Sequence, residues 1–357
     1  MRGGAGYLAA RERAAVFDRS SRGKIAVAGS DRRAYLHAML TNDVSSLQAG
    51  GGCYAAYLTP QGRLVADMVV LDLGDMLLLD LDPSVTVDML SKLDQFIFSE
   101  DVKLGDLSEA FGKLVVAGPA AAAVVAAVIE RAGGGPPEAD DAAALSAFAR
   151  LRRTFRPADL AGWPLFHNMR ASFRGQVVVV AASDDLGVAA FDLYIERPYV
   201  DQLSSALEAG GTTQADPEDW ETLRVEAGRP RFGADMDGTT IPLEAGIESR
   251  AISFTKGCYP GQEVVIRVVH RGHGRIARRL VGLAIDGTEV PGAGDGLRSG
   301  DREAGKITSA AWSPLVGAPI ALAMVQRDFF EPGTALTVLH GDHALMAWVV
   351  TLPFGTS

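Results

Sequence analysis

The 357-residue chain reads as an α+β protein that ends in a small β-barrel, and three observations predict this. Two segments, GKIAVAGSDRRAYLHAML from Gly23 and GKLVVAGPAAAAVVAAVI from Gly112, share one strand-turn-helix pattern. Strand-like runs elsewhere are grouped with helical stretches between them, which suits antiparallel α+β layers better than a doubly wound parallel sheet. From Ile276 onward only short β-like pieces at turn-rich spacing remain, the signature of a small barrel or sandwich.

In each repeat, alternating apolar residues (Ile25 and Val27; Leu114 and Val116) give the strand, and Ser30 or Pro119 opens the helix as an N-cap or first-turn residue. Further strands are predicted over 52–59, 63–73, 76–82, 176–183 and 188–196, and helices over 84–97 and 198–208. The Gly/Pro-rich acidic stretch 131–144 reads as an exposed loop between modules. The barrel pieces are RRLVGLAI, REAGKITSAAW, PIALAMV, TALTVLH and LMAWVVTL. Residues 1–275 then form two intertwined α+β subdomains, with the repeats near 23–42 and 112–130, and 276–357 form the barrel.

With 48% apolar and 22% charged residues the composition is that of a soluble globular protein. A net charge of −10 argues against non-specific nucleic-acid binding, so any anion site must be local. The N-terminal MRGGAGYLAARERAAVF lacks the apolar core of a secretory signal, and the most apolar runs, 114–129 and 68–82, are too short or too interrupted by Asp to span a bilayer. A cytoplasmic protein without membrane or nucleic-acid partners is expected. Cys53 and Cys258 are too far apart for a zinc knuckle or a disulfide framework, and the His270/His273 and His340/His343 pairs match no zinc spacing, so no metal site is expected.

The chemistry concentrates in FTKGCYPGQEVVIRVVHRGHGR, 254–275, where Cys258 lies between Lys256 and a Gly-Gln-Glu turn that leads into an apolar strand. Nearby Lys256, Arg267 and Arg271 supply the positive charge that lowers a thiol from its ordinary value of about 8.5. An activated thiol, a metal ligand and a small buried hydrophobe are the three readings of Cys258. Arg267, Arg271, Arg275, Arg278 and Arg279 crowd together in an otherwise acidic chain, which suggests an anionic ligand; the bland alternative is a solvated strand edge. Upstream, 220–247 alternates Glu226, Asp235, Asp237 and Glu244 with Arg224, Arg229 and Arg231, either around a ligand or as a salt-bridged connecting segment.

The segments LHAMLTNDV (36–44), GRLVADMVV (62–70), LRVEAGRPRFGADM (223–236), TIPLEAG (240–246) and KGCYPGQE (256–263), followed by HRGHGRIARRLVGL, resemble the YgfZ-type folate-binding proteins. These are relatives of the glycine-cleavage T-protein, an aminomethyltransferase. The resemblance implies a three-subdomain ring with a central tetrahydrofolate pocket. It further implies an accessory role in iron–sulfur cluster assembly or repair, with iron–sulfur enzymes or assembly proteins as partners, rather than classical transferase activity. A folate-dependent aminomethyltransferase is the alternative.

By the same resemblance, Cys258 is the reactive group, with Lys256, Gln262 and Glu263 shaping its turn. Arg224 is an arginine near the folate, and Asp192 stands where the transferases carry the Glu that holds the pterin. Asp67 survives from an acid pair whose other place is Ala66, which implies impaired aminomethyl transfer. Gln262, Glu263 and Arg267 complete the folate contacts, with the glutamate tail expected toward Arg267, Arg271 or Arg275.

Overall fold

Each repeat supplies an interior strand of a different sheet. The structure, a computed structural model, describes residues 3–131, 153–271 and 275–355, so the loop read over 131–144 lies, beyond Arg131, outside the described residues. Gly23–Ala28 sits between Met76–Leu81 and Lys103–Asp106 in a five-stranded antiparallel sheet, which continues through Leu64–Asp72 to Gly52–Leu58. Phe111–Ala117 sits between Ala15–Asp18 and Ala190–Glu196 in an eight-stranded sheet. Because Ala15–Asp18 precedes the whole first sheet in the chain yet pairs in the second, the two layers are interlocked.

The helices Arg32–Met39 and Ala121–Val128 follow the two repeat strands as their periodicity predicts. Their first turns begin later than expected. Asp31 and Ala120 precede them, and the Ser30 backbone N–H instead donates to Asp101 Oδ2 at 2.8 Å. Each sheet has its own apolar core: Ile25, Val27, Leu36 and Met68 lie in one, and Leu114, Val116, Val125 and Phe191 in the other.

Six strands close the C-terminal barrel, in the order Arg278–Ile285, Ala318–Gln326, Arg302–Ser313, Gly296–Ser299, Ala335–His340 and His343–Val350, with the last returning to the first. The periodicity did not predict Gly296–Ser299, since Leu297 is its only apolar side chain. A larger departure is the segment after KGCYPG. The β-branched run expected as a strand is a short helix, Gln262–Ile266, followed by a π-helical turn over Arg267–Arg271. Its apolar residues meet the core at helical spacing, Val265 with Val268 and Val269, so packing overrides the strand preference of Val and Ile.

The helix Pro217–Glu226 fastens the barrel to the sheets. The buried Glu226 carboxylate accepts hydrogen bonds from Tyr7 Oη at 2.9 Å and Ser313 Oγ at 2.5 Å, and pairs with Arg11. Two residues earlier, Arg224 spends all five of its N–H donors: two on Glu221, two on Asp235 and the Arg229 carbonyl, and one on Ser309 in the barrel. Glu226→Ala strands a buried tyrosine hydroxyl and a guanidinium; it should cost about 3–5 kcal/mol, read as a lower urea midpoint by tryptophan fluorescence. An unchanged midpoint would show that this junction does not hold the barrel in place.

Candidate functional site

Where the two sheets and the Pro217–Glu226 helix meet lies a partly open cavity of about 70 Å³, narrower than the usual small-molecule site. Seven cationic side chains line it (Arg19, Arg22, Lys113, Arg224, Arg229, Arg231, Arg250) against two acidic ones, Asp67 and Asp185. Tyr54, Trp220 and Phe232 supply aromatic wall. In a chain of net charge −10 this is a concentrated positive field, suited to an anionic ligand.

Alternation along Leu64–Asp72 decides which acid faces this space. Ala66 is fully buried in the core of the first sheet, whereas Asp67, on the opposite face, lines the cavity and accepts a hydrogen bond from Tyr54 Oη at 2.8 Å. The acid missing at position 66 would therefore not reach the cavity, and the inference of impaired chemistry drawn from Ala66 loses its basis. Burial pushes the Asp67 carboxyl above its usual range, against the opposing pull of Arg22 and the Tyr54 hydroxyl.

Beside Asp67 lies a buried network. Lys113 Nζ sits 2.7 Å from both Asp80 and Asp192, Tyr194 Oη donates to Asp80 at 2.7 Å, and Arg22 Nε donates to Asp80 at 2.7 Å. Burial opposes ionisation of Asp80, but Lys113, Arg22 and the Tyr194 hydroxyl outweigh it and hold its carboxyl well below the usual range. For Asp192 burial wins and its carboxyl is raised. Asp192, expected as a pterin contact, is thus already engaged by Lys113 and by Ser183 Oγ at 2.9 Å, and Lys113 rather than Asp192 lines the cavity. Arg224 lines it too, with every donor committed.

The KGCYPGQE segment lies elsewhere. Cys258 is exposed, which removes the buried-hydrophobe reading. Lys256 donates to the carbonyls of His37 and Leu40 at the end of the Arg32–Met39 helix and lies over the Tyr259 ring, so its charge anchors the loop to the first sheet's helix. Burial lowers its amine to about 8. Gly261 takes φ +80° where a side chain would strike the Thr59 carbonyl and Gly62, which is the steric reason for glycine before Gln262. Glu263 and Arg267 pair with each other at 2.6 Å on the surface, and Gln262 is half-buried.

Of the arginines downstream, Arg267, Arg275, Arg278 and Arg279 do not line the cavity. Arg278 and Arg279 pair with Glu244 and Glu248, and Arg275 lies in a surface hollow beside the barrel. Of the cavity's own cations, Arg224, Arg229 and Arg231 belong to the segment 220–247 singled out in the sequence, whereas Arg19, Arg22, Lys113 and Arg250 come from three other stretches that carried no such pattern. One signal was available: both repeats carry a lysine inside an apolar strand, Lys24 and Lys113, and both are buried.

Comparison with known proteins agrees with this architecture. The GCVT N-terminal domain family matches residues 4–139, and the glycine cleavage T-protein C-terminal barrel domain family matches residues 278–355. An aminomethyltransferase of Cutibacterium acnes is 30% identical over 353 residues, covering 98% of this chain and 89% of the relative. One from Streptomyces avermitilis is 28% identical over 356 residues, covering 98% and 88%. The crystal structure of glycine cleavage system aminomethyltransferase T from Bartonella henselae superposes with a TM-score of 0.81 at 20% identity, covering 98% of this chain and 88% of that one.

The two cysteines should react differently. Burial pushes the Cys53 thiol up to about 12, whereas Cys258 is exposed. Iodoacetamide at pH 7.5 followed by peptide mass mapping should label Cys258 and leave Cys53 unmodified until the protein is unfolded; equal labelling would contradict the structure.

Proposed function

The chain belongs to the glycine-cleavage T-protein (aminomethyltransferase) family, and on that premise we propose that its central cavity binds a reduced folate and serves one-carbon transfer of the aminomethyl type. The observation that carries this reading is a partly buried carboxylate, Asp67, set among arginines and aromatic side chains. The donor set fits the ligand: aromatic wall for a flat heterocycle, cations for its carboxylates, and one acid for its amine nitrogens. Tetrahydrofolate, when bound, supplies the nitrogens that accept a one-carbon unit. Asp67, raised by burial, holds and returns a proton closer to neutrality than an ordinary carboxyl does, as general acid–base work requires. Tyr54 orients that carboxylate, and Lys113, fixed by two aspartates, presents a permanent positive charge.

A second reading, a folate-dependent accessory role in iron–sulfur cluster assembly or repair, rests on Cys258. Its exposure on a loop anchored by Lys256, apart from the cavity lining, suits a thiol that meets another protein. Both readings share the folate cavity and differ in which group is indispensable.

Calorimetry with 5-formyltetrahydrofolate should show binding that weakens about 10- to 100-fold in Asp67→Asn, the worth of a charged hydrogen bond. Binding that uses the Asp67 carboxylate should be full at high pH. It should fall as pH drops through a value above the usual carboxyl range of about 4, and that acid limb should vanish in Asp67→Asn. Absence of folate binding at any pH would remove the proposal. Formation of methylene-tetrahydrofolate from an aminomethylated lipoyl carrier, abolished by Asp67→Asn and retained by Cys258→Ala, supports transfer. Loss of iron–sulfur enzyme activity in a deletion strain carrying Cys258→Ala, with no transfer detected, supports the accessory role.

A further inference from the structure

The cavity's cations are unequally committed. Lys113 is held by Asp80 and Asp192, Arg224 by its five bonds, and Arg229 and Arg250 by Asp184 at 2.5 and 2.9 Å. Arg19 is different. Its guanidinium lies 4.4 Å from the centre of the Trp220 ring, yet among the described residues its side chain makes no hydrogen bond or ion pair, and its Nε is buried without an acceptor. Arg22 uses only Nε on Asp80, and Arg231 comes no nearer than 3.9 Å to Glu221. All three side chains line the same space.

A half-buried guanidinium that no acid reaches within hydrogen-bonding distance, with Asp80, Asp185 and Glu221 acting on it only from farther away and Arg22 and Arg231 of like sign beside it, gains from an anion that completes it. Stacking on an indole fixes the plane of Arg19 and leaves its N–H edge free, the pre-organised fork that accepts two oxygens at once. We infer that Arg19, with Arg22 and Arg231 beside it, forms a carboxylate-binding subsite for the glutamyl end of the folate, with Arg19 determining the preference for glutamylated ligands. This rests on the folate reading, and it places the glutamate tail at Trp220 instead of at Arg267, Arg271 or Arg275. The same fork would also accept a free oxyanion such as phosphate, so the ligand's source has to be tested directly.

The test compares 5-formyltetrahydrofolate, its triglutamate and the corresponding tetrahydropteroate, which lacks glutamate, by calorimetry on the full chain. Arg19→Gln should weaken the two glutamylated ligands by about tenfold or more, as loss of a charged contact does, and leave the pteroate unchanged. Arg231→Gln, at a partly exposed position, should do the same to a smaller degree, and it serves as the second variant should Arg19→Gln fail to fold. Equal loss for all three ligands, or no loss, would overturn the subsite.

A further arm needs no folate. γ-Glutamylglutamate alone should change the fluorescence of Trp220 saturably in the wild type, but not in Arg19→Gln or Trp220→Phe. If no folate binds the wild type while the dipeptide does, the folate reading fails and the carboxylate subsite stands. No response to the dipeptide, or tighter binding of inorganic phosphate than of the dipeptide, overturns it.

Discussion

The rest of the structure depends on the buried ammonium of Lys113. It comes from the second sheet and reaches Asp80 of the first, with Asp192 on its other side, each at 2.7 Å. Two carboxylates and a lysine withdrawn from water tolerate one arrangement only, because any shift of one sheet against the other leaves a charge uncompensated. Tyr194 and Arg22 add bonds to Asp80 that fix the angle as well as the distance. The cavity wall is therefore rigid where the two layers join, and the apolar cores on either side need not specify that register themselves.

That constraint also sorts the cavity's charges. Asp80 and Asp192 are consumed in joining the sheets, and Arg224 in joining helix, loop and barrel. What remains for a ligand is smaller and more specific: Asp67 with Tyr54 at one place and the incompletely paired Arg19, Arg22 and Arg231 at another. A carboxylate and a set of guanidiniums sharing one aromatic-walled space match a ligand with a basic heterocycle at one end and acids at the other. The exposed Cys258 belongs to a different surface, tied to the first sheet's helix through Lys256. A cavity and a thiol that occupy separate places account for how one chain carries both the transferase architecture and an exposed cysteine in its KGCYPGQE segment.

Elements with strong local patterns were legible: both repeat strands and their helices, the hairpin strands of the first sheet, and five of the six barrel strands. Each is fixed by alternation or helical spacing within a few residues of itself. Gln262–Arg271 was not legible, since Val and Ile favour strands and only contact of Val265, Val268 and Val269 with the core selects a helix. The motif pointed to Asp67, but that Asp67 faces the cavity and Ala66 faces away from it needed the orientation of the strand.

The sequence by itself determined the layers, the closing barrel and the glycine that lets the Cys258 loop turn, because these follow from periodicity and from steric demands at single positions. Only the tertiary structure decided which of the chain's many arginines and aspartates are spent on assembly and which are left for a ligand. Pairing is settled by distance between segments far apart in sequence, Arg19 with Trp220 and Lys113 with Asp80, and a charge carries no mark in the sequence of whether its partner will be there.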